Sequence, residues 1–329
     1  MITPSILEKV GNTPLVSLCI DEFANLRLFA KLETYNPTGS VKDRAASYIL
    51  RKLLERKIID RRTTIIESTS GNFGVALSAF CKHYGLKFIA VVDSNITAIN
   101  EMLIVSNGAQ LIKVTEPDAS GGYLLNRIKK VKELAGSIEN VYWVNQYENP
   151  LNAKAYYHSL GMELCAEIEE IDYVFLGVSS GGTITGVSQK IKENFRNAQV
   201  IAVDVEGSVI FGHPPKRRFI PGIGSSMVPK ILQDAHIDDV VMVSELATID
   251  ACFELLERYG FFLGGSSGSV FAGIKSYFST RGLKKITNVA CIFPDRGERY
   301  CDTLYNKEWC EKVRRLNEEY KLLPAAHGA

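Results

Sequence analysis

The stretch Asn36-Pro-Thr-Gly-Ser-Val-Lys-Asp-Arg44 places a lysine, Lys42, just after a Gly-Ser turn and directly before Asp-Arg. Three chemistries suit a lysine in such a loop: gripping a phosphate, standing as a solvated charge, or attacking a carbonyl. A phosphate-cradling P-loop needs G-x-x-x-x-G-K-[ST]. Here two residues separate Gly39 from Lys42, and Asp43 stands where the magnesium-binding hydroxyl belongs, so that chemistry is excluded. Ser40 is suited to N-cap the helix that follows, which puts Lys42 in the first turn. The helix dipole is positive there, so the amine is expected to shed its proton, and a neutral amine forms Schiff bases. An exposed first-turn lysine accounts for this stretch equally well.

Three further loops bear on the choice. Ser179-Ser-Gly-Gly-Thr183 follows an apolar strand and opens a helix, an arrangement that offers converging backbone N–H groups and a favourable dipole to an anion. A tight strand-to-helix turn would look the same. Ser68-Thr-Ser-Gly-Asn72 supplies hydroxyl and amide donors suited to a carboxylate, and Gly264-Gly-Ser-Ser-Gly-Ser269 opens another helix. Four such loops at strand C-terminal ends, where open α/β sheets bind ligands, point jointly to one site.

The elements that carry these loops are legible. Apolar, β-branched runs at 26–33, 63–68, 87–93, 109–114, 173–178, 198–205, 239–244 and 288–293 read as strands. Helical periods lie between them, such as Phe73, Ala76, Leu77 and Phe80. Near-continuous apolar strands alternating with helices imply parallel sheets covered on both faces. Two series suggest two α/β lobes meeting near 145–150, and the chain past Leu323 is expected to fray.

The 329 residues are 46% hydrophobic and 23% charged with a formal net charge of +1, which argues against a general nucleic-acid or membrane-surface binder. No apolar run is long enough to span a membrane, and the N-terminus shows no secretory signal. Seven cysteines without a C-x-x-C pair suit a reducing cytoplasm, and five scattered histidines give a metal site little support.

At these loops the sequence resembles the fold-type II pyridoxal-phosphate enzymes of the cysteine synthase and cystathionine β-synthase group. The resemblance is carried by GNTPLV (11–16), KLETYNPTGSVKDR (31–44), ESTSGNFG (67–74), SSGGTITG (179–186), PGIG (221–224), GGSSGS (264–269) and FPDRGERY (293–300). It implies an α/β fold like that of the tryptophan synthase β-subunit, two open parallel-sheet lobes with the active site between them. A smaller domain would span 34–147, with its mobile part at about 88–140, and a larger one 1–33 and 148–329. The cofactor would be pyridoxal 5'-phosphate, and the assembly a homodimer without a regulatory extension. By matched position, Lys42 would carry the cofactor as a Schiff base and Asn72 would stand beside its 3-oxygen. Thr69, Ser70 and Gly71 would take the substrate carboxylate, while Ser179, Ser180, Gly181, Gly182 and Thr183 would take the cofactor phosphate. Ser266 would face the pyridine nitrogen. A neutral hydroxyl there, in place of a carboxylate, favours β-elimination and replacement over transamination. Lys42, once released, would act as general base at the substrate Cα.

EPDASGGYLLNRIKKVKEL (116–134), YWVNQYENPLN (142–152), VDVEGSVIFG (203–212) and IPGIGSSMVPKIL (220–232) resemble a narrower branch, the N-(2-amino-2-carboxyethyl)-L-glutamate synthases. These join O-phospho-L-serine to L-glutamate, releasing phosphate, on the way to the 2,3-diaminopropionate of the siderophore staphyloferrin B. The branch singles out Arg127 and Tyr147 for substrate binding. Both substrates are anionic, and an arginine offers either one a bidentate fork. A solvated basic face shared with Lys129, Lys130 and Lys132 accounts for Arg127 as well, and a plain core position accounts for Tyr147. Two alternatives stay open: an O-acetylserine or O-phosphoserine sulfhydrylase, and a pyridoxal-phosphate-binding regulatory protein without turnover.

Overall fold

The computed structural model describes residues 3–118, 122–283 and 285–322; the frayed tail expected past Leu323 lies outside them. In chain order the elements are β1 (Leu15–Leu18), β2 (Leu26–Leu32), α1 (Lys42–Glu55), β3 (Thr64–Ser68), α2 (Asn72–Tyr84), β4 (Lys87–Asp93), α3 (Ala98–Ser106), β5 (Gln110–Val114), α4 (Leu124–Ser137) and β6 (Val141–Trp143). There follow α5 (Pro150–Tyr156), α6 (Met162–Glu167), β7 (Tyr173–Gly177), α7 (Gly182–Asn194), β8 (Gln199–Val205), β9 (Asp239–Val243), α8 (Glu245–Tyr259), α9 (Gly265–Arg281), β10 (Thr287–Phe293) and α10 (Lys307–Leu322).

Two sheets form. One has four parallel strands in the order β5-β4-β3-β6, and the other six in the order β1-β2-β10-β7-β8-β9. The expected parallel pairing holds everywhere except at one edge, where β1 runs antiparallel to β2. Only seven residues link that pair, too few for the crossover that a parallel pair needs. The inner strands are buried as expected: Val174, Phe175 and Leu176 of β7 are wholly enclosed, as are Ala90 to Val92 of β4, whereas the edge strand β5 is open at Gln110 and Lys113 and the edge strand β9 is only partly covered. One apolar cluster runs through both sheets, from Ile65 of β3 through Val144 to Val174 and Ala290, and a second, with Leu28, Phe175 and Phe271, packs on the larger sheet.

Behind this core lies an ionic network. The Arg44 guanidinium forks onto Glu33, Nε to Oε2 at 2.6 Å and Nη2 to Oε1 at 2.7 Å, and Nη1 reaches Glu163 Oε1 at 2.6 Å. Lys31 Nζ adds contacts to Glu163 at 3.1 Å and to Glu167 at 2.6 Å. Burial opposes charge on Glu163, but the hydrogen bonds and charge of Arg44 outweigh it and hold this carboxyl down at about 2. The network ties α1 to β2 and α6, and so fixes the helix that begins at Lys42.

Arg44→Met leaves the fully buried Glu33 without its countercharge, an arrangement that costs about 3–5 kcal/mol. Urea denaturation of the variant is expected to show that loss; a loss below about 1 kcal/mol would mean the network contributes no net stability.

Candidate active site

The four loops singled out in the sequence line one cavity of about 1300 Å³, together with Arg127, Tyr147 and residues 214–226. Each loop is held by an identifiable contact.

Lys42 is the first residue of α1. Ser40 does not cap this helix in the expected way. Val41 takes the cap position in helical geometry, and the Ser40 hydroxyl only reaches the Lys42 N–H at 3.4 Å. The reason is tertiary: Ser40 forms a bridge with Asp295, and Val41 donates to the Pro294 carbonyl at 2.8 Å, so the loop is stitched to the end of β10. Lys42 is partly open to the cleft but deeply set. Burial pulls its amine from the ordinary 10.5 down to about 8, against the opposing charge of Asp295. Desolvation, more than the helix dipole invoked from sequence, lowers its proton affinity.

The 68–72 loop joins β3 to α2. Thr69 N–H bonds the Val91 carbonyl at 2.9 Å, and Asn100 Nδ2 reaches the Ser70 carbonyl at 3.3 Å. Thr69, Ser70 and Gly71 face the cavity, and Asn72 opens α2. The Asn72 amide donates to Asp295 Oδ2 at 2.7 Å, and its oxygen accepts from Arg299.

Ser179, Ser180, Gly181 and Thr183 line the cavity at the N-terminus of the 13-residue α7. The glycines have separate causes. Gly181 sits at φ +85°, and a Cβ on Gly182 would stand 2.4 Å from Asn152 of α5. The glycine-rich signal therefore reflects close helix packing as well as a left-handed turn. Ser266 lies in the first turn of α9, nine-tenths enclosed, and its hydroxyl stands 3.3 Å from Asp295 Oδ1.

Arg127 does not belong to a solvated face. Lys129 and Lys132 are exposed, and Lys130 pairs with Glu133, but Arg127 turns into the cleft. Its Nη1 donates to Ser70 Oγ at 2.9 Å and stands 3.2 Å from Asp93, while its buried Nε has no partner. Tyr147 is enclosed and lines the cavity; burial pushes its hydroxyl up to about 12, with Arg127 next in influence.

Sequence reasoning missed three residues here, all from FPDRGERY. Asp295 accepts from Asn72, Ser266 and Tyr300, and Arg299 lies behind Asn72. The available signal was their place directly after the buried strand β10, at its C-terminal end. Among the described residues no group of three His, Cys, Asp or Glu could hold a metal, and no helix is long and apolar enough to cross a membrane.

A two-lobed α/β architecture with a lysine of lowered proton affinity in the cleft defines a class, the fold-type II pyridoxal-phosphate enzymes. Residues 6–295 match the family of pyridoxal-phosphate dependent enzymes, and the chain belongs to it. Solved structures agree. An O-acetylserine dependent cystathionine beta-synthase from Helicobacter pylori is 33% identical with a TM-score of 0.85, the match covering 92% of this chain and 98% of that one. A hydrogen sulfide-producing enzyme from Fusobacterium nucleatum is 27% identical at 0.84, covering 91% and 100%. An O-ureido-L-serine synthase is 27% identical at 0.85, covering 93% and 96%. The cleft fits the cofactor. It offers an amine whose proton burial loosens, a helix N-terminus behind a loop that only glycine can close, and a sheltered hydroxyl.

The lowered proton affinity of Lys42 has a consequence for the cofactor-free protein. Between about 8 and 10.5 the unfolded chain holds a proton on this amine that the folded chain has released, so the lysine makes stability rise with pH across that window. Lys42→Met is expected to lack this rise and to be the more stable protein at pH 7. Urea denaturation of both proteins at pH 7 and pH 10 checks it; identical slopes would contradict the assigned burial.

Proposed function

We propose that the chain catalyses β-replacement on an activated serine, joining O-phospho-L-serine to L-glutamate and releasing phosphate. The product would be N-(2-amino-2-carboxyethyl)-L-glutamate, a 2,3-diaminopropionate precursor for siderophore synthesis. One observation carries the choice of substrates, the charge of the cavity wall. Lys42, Arg127, Lys216, Arg217, Arg218 and Lys312 line it, against Asp93 as the one acidic group among the described lining residues. The whole chain carries only +1, so cations are concentrated where two anionic substrates would meet. Sulfide needs no such wall.

In this reading the Ser179–Thr183 loop and the α7 N-terminus hold the cofactor phosphate. Asn72 stands beside the 3-oxygen and Ser266 beside the ring nitrogen. Pyridoxal phosphate, when bound, supplies the electron sink that lets a proton leave the substrate Cα. The Lys42 amine takes that proton. Thr69, Ser70 and Gly71 hold the substrate carboxylate, and Arg127, tied to Ser70, sits where it meets a second anionic group. The Cβ–O bond breaks with loss of phosphate, the glutamate nitrogen bonds to Cβ as its proton passes to the departing phosphate, and Lys42 returns a proton to Cα. Tyr147 closes the wall beside Arg127. The smaller domain, taken as 34–147, would shift its 88–140 part over the substrates, in a cytoplasmic homodimer. An O-acetylserine or O-phosphoserine sulfhydrylase is the second reading, supported by the dependence on O-acetylserine of the cystathionine beta-synthase among the similar structures.

Arg127→Ala is expected to leave the visible absorbance of the bound cofactor unchanged. It should lower kcat/KM with phosphoserine and glutamate roughly 10- to 100-fold, the worth of about 1.5 to 3 kcal/mol for a hydrogen bond to a charged group. Arg127→Lys should recover part of this, since it keeps the charge and loses the fork. Phosphate release from phosphoserine alone, compared with incorporation of labelled glutamate, shows which anion the residue meets. Wild-type rates in both would remove Arg127 from the site.

A further inference from the structure

Three side chains from three elements gather around Ser70, and each keeps a hydrogen-bonding group in reserve. Arg127 of α4 donates from Nη1 to the Ser70 hydroxyl at 2.9 Å and stands 3.2 Å from Oδ2 of Asp93, the last residue of β4. Asn100 of α3 donates from Nδ2 to the Ser70 carbonyl at 3.3 Å. A carbonyl only accepts, so the amide NH2 must face it and Asn100 Oδ1 must face away. That oxygen is buried without a partner, and so is the Arg127 Nε. Asp93 and Asn100 are both more than nine-tenths enclosed, and both line the cavity.

The local backbone does not require a carboxylate at position 93. Oδ1 accepts the Asn95 N–H at 2.9 Å, a turn contact that an asparagine makes equally well. An ionised carboxylate offers about four acceptor sites, and these two contacts leave about half of them open. Asp93 is also the one acidic group among the described lining residues, set in a wall of lysines and arginines. That wall is therefore not uniformly basic. Beside its buried arginine it places acceptors, and a cation next to acceptors is the complement of an α-amino acid, whose carboxylate and ammonium are one carbon apart.

We propose that Asp93 selects an amino-acid nucleophile by accepting a hydrogen bond from its amine while Arg127 meets its carboxylate. This rests on the reading that an amino acid, and not sulfide, is the second substrate. Asn100 Oδ1 supplies a further acceptor on the same wall. The amine arrives as an ammonium with three N–H groups. One proton passes to the departing phosphate, the lone pair it leaves bonds to Cβ, and a remaining N–H stays on Asp93, whose charge does not change. The hydrosulfide anion brings no ammonium, and a carboxylate repels it, so the same group disfavours the competing reaction.

The test offers holoenzyme and O-phospho-L-serine two nucleophiles in one tube: L-glutamate, and 2-sulfanylpentanedioate, which has the same two carboxylates and a thiol in place of the amine. In Asp93→Asn the ratio of amine adduct to thiol adduct is expected to fall roughly 10- to 100-fold below wild type, the loss of a hydrogen bond to a charged group. A role confined to steadying Arg127 would slow both additions alike and leave the ratio where it was. A ratio within about twofold of wild type therefore overturns the proposal. Should the variant fail to fold, the wild type decides. Glutarate, which keeps both carboxylates and lacks the amine, is expected to inhibit glutamate incorporation with a Ki at least roughly tenfold above the KM for glutamate; comparable values overturn the proposal. A wild type that makes cysteine from sulfide and takes up no glutamate overturns the substrate reading, and this proposal with it. Glutamate uptake in the wild type with an unchanged ratio in Asp93→Asn leaves the substrate reading standing and removes Asp93 alone.

Discussion

Keeping one amine out of water is the constraint on which the rest of this structure depends. Lys42 must give up its proton more readily than a surface lysine to serve as a nucleophile or base near neutral pH, and burial brings it from the ordinary 10.5 down to about 8. Desolvation does this only if the residue is held rigidly at the bottom of a cleft. The Arg44 fork onto Glu33 and Glu163 anchors the helix from behind, and the bridge between Ser40 and Asp295 anchors the loop in front. The two anchors draw on β2, α6 and the end of β10, all in the larger sheet or packed beside it. The loop at 68–72 and Arg127 approach from the smaller sheet. The cleft exists because groups from two sheets converge on one lysine.

Most of the secondary structure could be read from sequence because the inner strands β3, β4, β7, β8 and β10 are largely enclosed on both faces and so appear as apolar runs. β1 and β6 escaped because four and three residues are too short to show a period. Lys42 was found through its local pattern, but the cause of its altered proton affinity was not. Helix position is local, whereas burial comes from residues about 250 positions away. The Ser40 cap failed for the same reason, since a contact with Asp295 outweighed a local preference. Arg127 was legible in principle: it follows Leu124 by three and precedes Val131 by four, and both of those are buried. Attention to the neighbouring lysines hid that it shares the inward face.

Local glycine signals carried mixed content. At 181–186 the same letters serve a left-handed turn and the near contact of α7 with α5, where a Cβ on Gly186 would stand 2.1 Å from the Ala153 carbonyl.

The central claim is that a cavity wall rich in cations selects an amino-acid nucleophile and a phosphorylated serine. Incubation of the purified holoenzyme with O-phospho-L-serine and equal concentrations of L-glutamate and sulfide, followed by mass spectrometry of the products, tests it most directly. The account predicts N-(2-amino-2-carboxyethyl)-L-glutamate as the dominant product, with phosphate released in equal amount. Cysteine as the dominant product would contradict it.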